Sequence, residues 1–268
     1  TIREGKYRDN IRRATDWLMD RVQPNDLIGV PASPSEGGRY MYGHGFAVMF
    51  LACVVGEEEN ARRRERLIKL LEKACKYSRD AQTNRGGWGY LSAKDGSNFD
   101  EGSVTITQMQ GLRAARNAGV VVPNEAIKQG VEYLKQSTND QGGVQYSLAF
   151  GGGGRGEGRP ALTAAAICCG FSAGEYQGDL VKKWLKFCQN TLSTPGDGRR
   201  MGHDEYTHYY FAQVVYVLGD DRYKKLFPDA KADETLTWTK YRKSFFEECK
   251  RTQSADGSWS ADSWTARM

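Results

Sequence analysis

Apolar positions along the chain fall into two alternating kinds of segment. In the first kind a single apolar stripe runs along an otherwise charged stretch: over 60–79, Leu67, Leu70, Leu71, Ala74 and Tyr77 recur at i, i+3 and i+4. That spacing predicts a helix with one buried face and one solvated face. The second kind is poor in charge nearly all round and covers 46–55, 104–118, 162–171 and 206–218. Such segments predict helices buried on more than one face. Strand signals are scarce, since 87–91 and 143–150 are brief and bounded by glycine, and both read as turns.

The two kinds of helix alternate within a repeat. The clearest copies of its turn run from Gln82 to Gly86-Gly87-Trp88-Gly89-Tyr90, from Gln136 to Gly142-Gly143-Val144-Gln145-Tyr146, and from Gln253 to Asp256-Gly257-Ser258-Trp259. Weaker copies follow Trp17 and Trp184, ending at Gln23 and Gln189, so that five glutamines stand 53 to 64 residues apart. Each unit then reads as an amphipathic helix, a glutamine, a glycine/tryptophan turn and a more apolar helix. An inner ring of apolar helices wrapped by an outer ring satisfies this alternation. The fold predicted is all-α, an α/α toroid of helical hairpin repeats. It holds about four and a half to five pairs in one domain over 1–268, ending before a final inner helix. An open ring of this kind exposes inner-helix surface and favours self-association.

Composition narrows the class. With 39% hydrophobic and 26% charged residues the chain is that of an ordinary globular protein. Its longest uncharged apolar run, 46–55, is half of the roughly 20 residues that a membrane-spanning helix needs, so no span is expected. The N-terminus has neither an initiating Met nor a signal-peptide core and reads as processed or as a boundary, which leaves the compartment open. The six cysteines show no C-x-x-C spacing and read as small buried hydrophobes. Much of the net charge of +5 lies in Arg62, Arg63, Arg64, Arg66 and Lys69. These sit among glutamates with no aromatic stacking motif, a solvated helix face rather than a nucleic-acid patch.

Candidate chemistry collects where the apolar helices begin. Their starts lie at 42–46, 98–103, 158–162 and 202–206 and carry His44, Asp100, Glu101, Arg159, His203, Asp204, Glu205, Tyr206, His208 and Tyr209, which include all three histidines. In a toroid these starts share one rim. Asp100, Asp204 and His208 are the candidate acids, bases or proton carriers. His44, Glu101, Arg159, His203, Tyr206 and Tyr209 are candidate ligand contacts. His203, Asp204 and His208 offer imidazole and carboxylate to zinc or another divalent metal, Asp204 and His208 being spaced i, i+4. The glycine-rich segment 151–159 fits neither the P-loop nor the dinucleotide spacing and reads as a turn, its arginines available to an anionic ligand.

The Gln-to-Trp turns resemble the QW-type repeats of the terpenoid cyclase and protein prenyltransferase superfamily. Gly86-Gly87-Trp88-Gly89-Tyr90-Leu91 and Asp100-Glu101-Gly102-Ser103-Val104-Thr105 resemble the prenyltransferase and squalene oxidase repeat proteins of that group. The resemblance implies the toroid, a central apolar cavity for an isoprenoid or other lipid-like chain, and a His/Asp/Glu rim for its polar head. His44-Gly45-Phe46 resembles the His-Gly-Gly-Tyr helix start that contacts diphosphate in prenyltransferases. Asp100-Glu101-Gly102 resembles their zinc-binding Asp-x-Cys, with glycine in place of the cysteine. The Asp-x-Asp-Asp and Asp-Asp-x-x-Asp motifs of the cyclases and synthases do not occur. The resemblance therefore leaves two readings: an isoprenoid transferase or cyclase-like enzyme, or a non-catalytic binding or interaction scaffold of the same fold.

Overall fold

The computed structural model describes residues 1–149, 156–172, 178–192 and 204–259. Among these the chain is all-helical, with ten α-helices, one 3-10 turn at Ala93–Asp95 and two isolated antiparallel bridges, Val22–Ile28 and Thr138–Val144. No helix among the described residues is long and apolar enough to cross a membrane. Contacts gather the chain into two compact units. The first is Thr1–Ser137 with Gln145–Gly156, and the second is Thr138–Val144 with Glu157–Met268.

The first unit holds α1 (Arg8–Met19), α2 (Tyr40–Val55), α3 (Ala61–Asp80), α4 (Gly102–Asn117) and α5 (Asn124–Gln136). The apolar helices α2 and α4 pack on one another, and α3 packs against both. Glycine sets the crossing of α2 and α4. A side chain on Gly45 would meet Thr107 Oγ1 at 2.6 Å, and one on Gly111 would meet the Gly45 carbonyl oxygen at 2.7 Å, so the two backbones touch. On α3 four residues of the predicted stripe, Leu67, Leu71, Ala74 and Tyr77, are buried with Cys75 beside them, while Leu70 is only partly covered. The opposite face carries the basic run, where Arg63 pairs with Glu58 and Asp16, and Lys69 with Glu65. The second unit holds α6 (Pro160–Ser172), α7 (Asp179–Thr191), α8 (Asp204–Leu218), the short α9 (Arg222–Leu226) and α10 (Trp238–Thr252). Here α6 packs with α7 and α8, and α10 packs on α8.

Among the described residues one hydrogen-bonded turn recurs twice in each unit. The N–H of Gln23, Thr83, Asn139 and Ser254 donates to the carbonyl four residues on, and the N–H of Asp26, Gly86, Gly142 and Gly257 donates back, all at 2.7–3.0 Å. Those four returning residues have φ between 71° and 92°, the left-handed region, which explains glycine at three of them. The glutamines do not hold this register. Gln82 and Gln253 precede their turns and donate to the Gly86 and Gly257 carbonyls at 2.7 and 2.8 Å. Gln23 opens its turn, and Gln136 lies three residues before Asn139, bonding Glu132 on its own helix. The backbone position with positive φ, not the amide side chain, marks each copy.

Three of the four turns are tied to the helix that follows by one further bond. The N–H of Ile28, Trp88 and Val144, five residues beyond the turn's first residue, donates to His44 Nδ1, Thr105 Oγ1 and Thr163 Oγ1 at 2.9–3.0 Å. Because the two threonines also donate to the carbonyls of Glu101 and Arg159 four residues back, each hydroxyl holds the loop and its own first helical turn together.

Candidate functional site

His44 lies deeper than its sequence position suggests. Its helix begins at Tyr40 rather than near residue 42, because the Tyr40 hydroxyl donates to Asp95 and accepts the Ser92 N–H. The ring is therefore on the second turn of α2 and has no solvent exposure. Nδ1 accepts the Ile28 N–H at 3.0 Å, while Nε2 faces the Ala74 carbonyl at 3.2 Å and Ser78 Oγ at 3.1 Å. Ser78 in turn donates to Gln108, which donates to the Met41 carbonyl, so the network joins α2, α3 and α4. Burial lowers the His44 pKa from 6.5 to about 4 and keeps the imidazole neutral. Both nitrogens are engaged with protein groups, and the ring fastens a loop to the helix.

Asp100 and Glu101 precede α4, and both are at least 99% buried. One Asp100 oxygen meets the Arg85 guanidinium at 3.3 Å. The other accepts Tyr133 Oη at 2.8 Å, Ser147 Oγ at 3.1 Å and the Leu148 N–H at 2.7 Å. Four partners from the 81–100 loop, α5 and the 145–149 loop converge on one carboxylate. Burial, with the Asp100 charge beside it, raises the Tyr133 pKa and keeps that phenol a donor. Glu101 caps α4 by accepting the Val104 N–H at 2.9 Å, and burial raises its pKa. Beside it the hydroxyls of Tyr90 and Tyr146 meet at 2.9 Å, with Arg39 over the Tyr90 ring. The sequence reading missed Arg85, Tyr133, Ser147 and Thr105. The shared Glu101-x-x-x-Thr105 and Arg159-x-x-x-Thr163 spacing is the one signal that pointed to any of them.

In the second unit Arg159 precedes α6, its side chain exposed and its N–H bonded to the Val144 carbonyl at 2.8 Å. His203 lies outside the described residues, and of Asp204 and Glu205 only the backbone that starts α8 is described, so the proposed metal set falls largely beyond them. Among the described residues no cluster of three or more metal-ligating side chains occurs. His208 Nδ1 lies 3.0 Å from Tyr241 Oη on α10. Burial raises the Tyr241 pKa, so the phenol stays protonated. Tyr206 and Tyr209 each meet Tyr210 edge to face with ring centres 4.9 Å apart, Tyr209 remaining half exposed. Tyr241 also lines a cleft of about 680 Å³ together with Phe211, Lys186, Gln189, Glu234 and Lys240. The lining is amphipathic and of mixed charge, with Lys186, Lys240 and Lys243 standing near Asp233 and Glu234 around Phe211 and Tyr241.

No protein-family model matches the chain, and no curated protein matches it. Among solved structures, a crystal structure of a protein from Actinoplanes is similar over 96% of this chain and 69% of that one, with a TM-score of 0.59 and 16% identity. A likeness at that identity is one of fold alone.

Proposed function

We propose that the chain is a binding or interaction scaffold built from helical hairpin repeats of the terpenoid cyclase and protein prenyltransferase kind, arranged as an α/α toroid, and that it does not catalyse isoprenoid transfer or cyclisation. The observation that carries this reading is Asp100. A carboxylate that is fully buried and holds four protein donors has no lone pair directed at a ligand and cannot exchange its proton with one. Glu101 as a helix cap and His44 as a loop fastener support it in the same way. The Asp100→Asn variant should lose about 2–4 kcal/mol of unfolding free energy in urea, because a buried donor set loses its charge partner. The wild-type chain should release no diphosphate or cyclised product from farnesyl or geranylgeranyl diphosphate. Turnover abolished by Asp100→Asn at unchanged stability would overturn the reading.

A second reading is favoured by the cleft beside Tyr241. In it an isoprenoid or other lipid-like anion lies against Phe211 and Tyr241 with its head near Lys186 and Lys240, and His208 orients the phenol. Binding of farnesyl diphosphate, weakened several-fold by Lys240→Ala in calorimetry, would support that use of the scaffold.

A further inference from the structure

The solvent face of α3 carries cations in single file. Arg62, Arg66, Lys69, Lys73 and Lys76 are spaced i, i+4, i+7, i+11 and i+14, and all five are exposed. At about 100° and 1.5 Å per residue they fall within about 80° of the helix circumference and along about 21 Å of its length. Among the described residues Arg62, Arg66 and Lys76 form no ion pair, while Lys69 meets Glu65 at 2.7 Å and Lys73 approaches Asp26 at 3.8 Å, both lysines remaining largely exposed. Neighbouring cations at i, i+3 and i+4 repel one another. The first turn of α3 holds no acidic residue, although the helix dipole favours one there over Arg62, Arg63 and Arg64. The exposed face of α5 is built the other way: Lys128 and Lys135 each stand three residues beyond a glutamate partner, Glu125 and Glu132. The stripe on α3 therefore works against the stability of its own helix, and neither the packing of α3 on α2 and α4 nor the Asp100 network uses it. Glu65 and Glu72 border the stripe on one side, about 60–80° round the helix.

We propose that this stripe is a docking surface for an acidic segment of a partner polypeptide, with Asp or Glu carboxylates at helical i, i+3 and i+4 spacing. Charge complementarity sets both the sign and the spacing. Two helices share the same rise, so carboxylates at matching positions meet successive cations, and Arg62 and Arg66 offer the planar fork that binds a carboxylate through two bonds. The border of the stripe decides between polyanions: Glu65 and Glu72 oppose an occupant wide enough to cover them, such as a nucleic-acid duplex or an anionic bilayer. The face also lacks an exposed large apolar side chain to enter a bilayer and an exposed aromatic ring on which bases could stack. The inference rests on the scaffold reading and names one kind of partner that the scaffold holds.

The test is calorimetric titration of the full chain, at low salt, with a synthetic alanine-based helical peptide carrying glutamate at i, i+4, i+7, i+11 and i+14. An isomer of the same composition, with its glutamates spread evenly around the helix, is the control. Saturable binding of the first peptide is expected, several-fold tighter than that of the isomer and weakened at least about tenfold between about 0.05 and 0.3 M salt. Arg66→Gln and Lys73→Gln should each weaken it about two- to fivefold, and Arg66→Glu combined with Lys73→Glu by more than about tenfold. Since both residues are exposed, the variants should melt no lower than the wild type by circular dichroism; a lower melting temperature would make the stripe a support of the fold and overturn the proposal. No binding, equal binding of the two peptides, or binding indifferent to the substitutions overturns it as well. So does tighter binding, lost in the same variants, to a DNA duplex or to phosphatidylserine vesicles. A wild-type chain that sediments as a dimer, and as a monomer once the two glutamates are introduced, assigns the stripe to a second copy and likewise overturns it. The Asp100→Asn measurement uses neither the peptide nor the α3 cations, so failure of the scaffold reading and failure of this surface are told apart.

Discussion

Both units contain a buried phenol bonded to a polar side chain of another segment, with opposite consequences. Tyr133 donates to Asp100 inside a site with three further donors. Tyr241 pairs with His208 at the wall of a cleft. Residue type does not separate the two pairs, since acid, imidazole and phenol are equally able to do chemistry. What separates them is placement: the Asp100 carboxylate is enclosed by four protein donors and forms a clasp, whereas Tyr241 lines a cleft.

The strongest way to break the comparison is through the two tryptophans. Trp88→Ala removes a fully buried side chain and should cost about 3–5 kcal/mol in urea titrations followed by circular dichroism. The same change at the half-exposed Trp259 should cost under about 1 kcal/mol. Equal losses would mean that the second unit is as closed as the first.

Next is the pH dependence of His44. Its folded pKa is about 4 against 6.5 in the unfolded chain, so the unfolded state takes up a proton first as pH falls. The stability from the neutral ring is fully present above pH 6.5 and is lost between 6.5 and 4, by about 3 kcal/mol at the limit. Glu101, with its folded pKa raised, titrates in the opposite sense above 4.5. The expected signature is therefore the difference between the wild type and His44→Gln, which should flatten the profile in that window. An unchanged slope would place the ring in solvent.

A smaller contrast is expected from the phenols. Tyr133→Phe leaves Asp100 one donor short and should destabilise by about 1–2 kcal/mol, whereas Tyr241→Phe, next to the cleft, should cost under about 1 kcal/mol. The smallest effect is chemical. Cys53 is exposed, while Cys75, Cys168, Cys169 and Cys188 are buried, and burial pushes the Cys75 and Cys168 thiols up to about 12. A maleimide should label Cys53 within minutes, and those four only on unfolding, as read by mass spectrometry.

Much of the helical pattern was legible because burial periodicity is local. The segments 104–118, 162–171 and 206–218 differ from α4, α6 and α8 by at most two residues at either end. The start of α2 was not legible, because Tyr40 is anchored by Asp95 and Ser92, which lie more than 50 residues away. The glutamine spacing misled in a related way: it is even, yet among the described turns only Gln82 and Gln253 bond the carbonyl of the left-handed glycine. The candidate site was legible as a list of reactive residue types and not as chemistry. Nothing near Asp100 in sequence announces Tyr133, Ser147 or Leu148, and their donors decide what the carboxylate can do. Thr105 and Thr163 escaped notice because a threonine in an apolar helix looks like filler.

The contact of Gly45 with Gly111 has a kinetic consequence. With the backbones of α2 and α4 in van der Waals contact there, and Gln108 bonded across to the Met41 carbonyl, no side chain separates the helices that could swing aside to admit water. The amides of Val48, Leu51, Ile106 and Leu112 can then meet solvent only when the whole first unit opens. This crossing is its slow-exchanging centre, the part that keeps its deuterium memory longest while helix ends and turns have already forgotten.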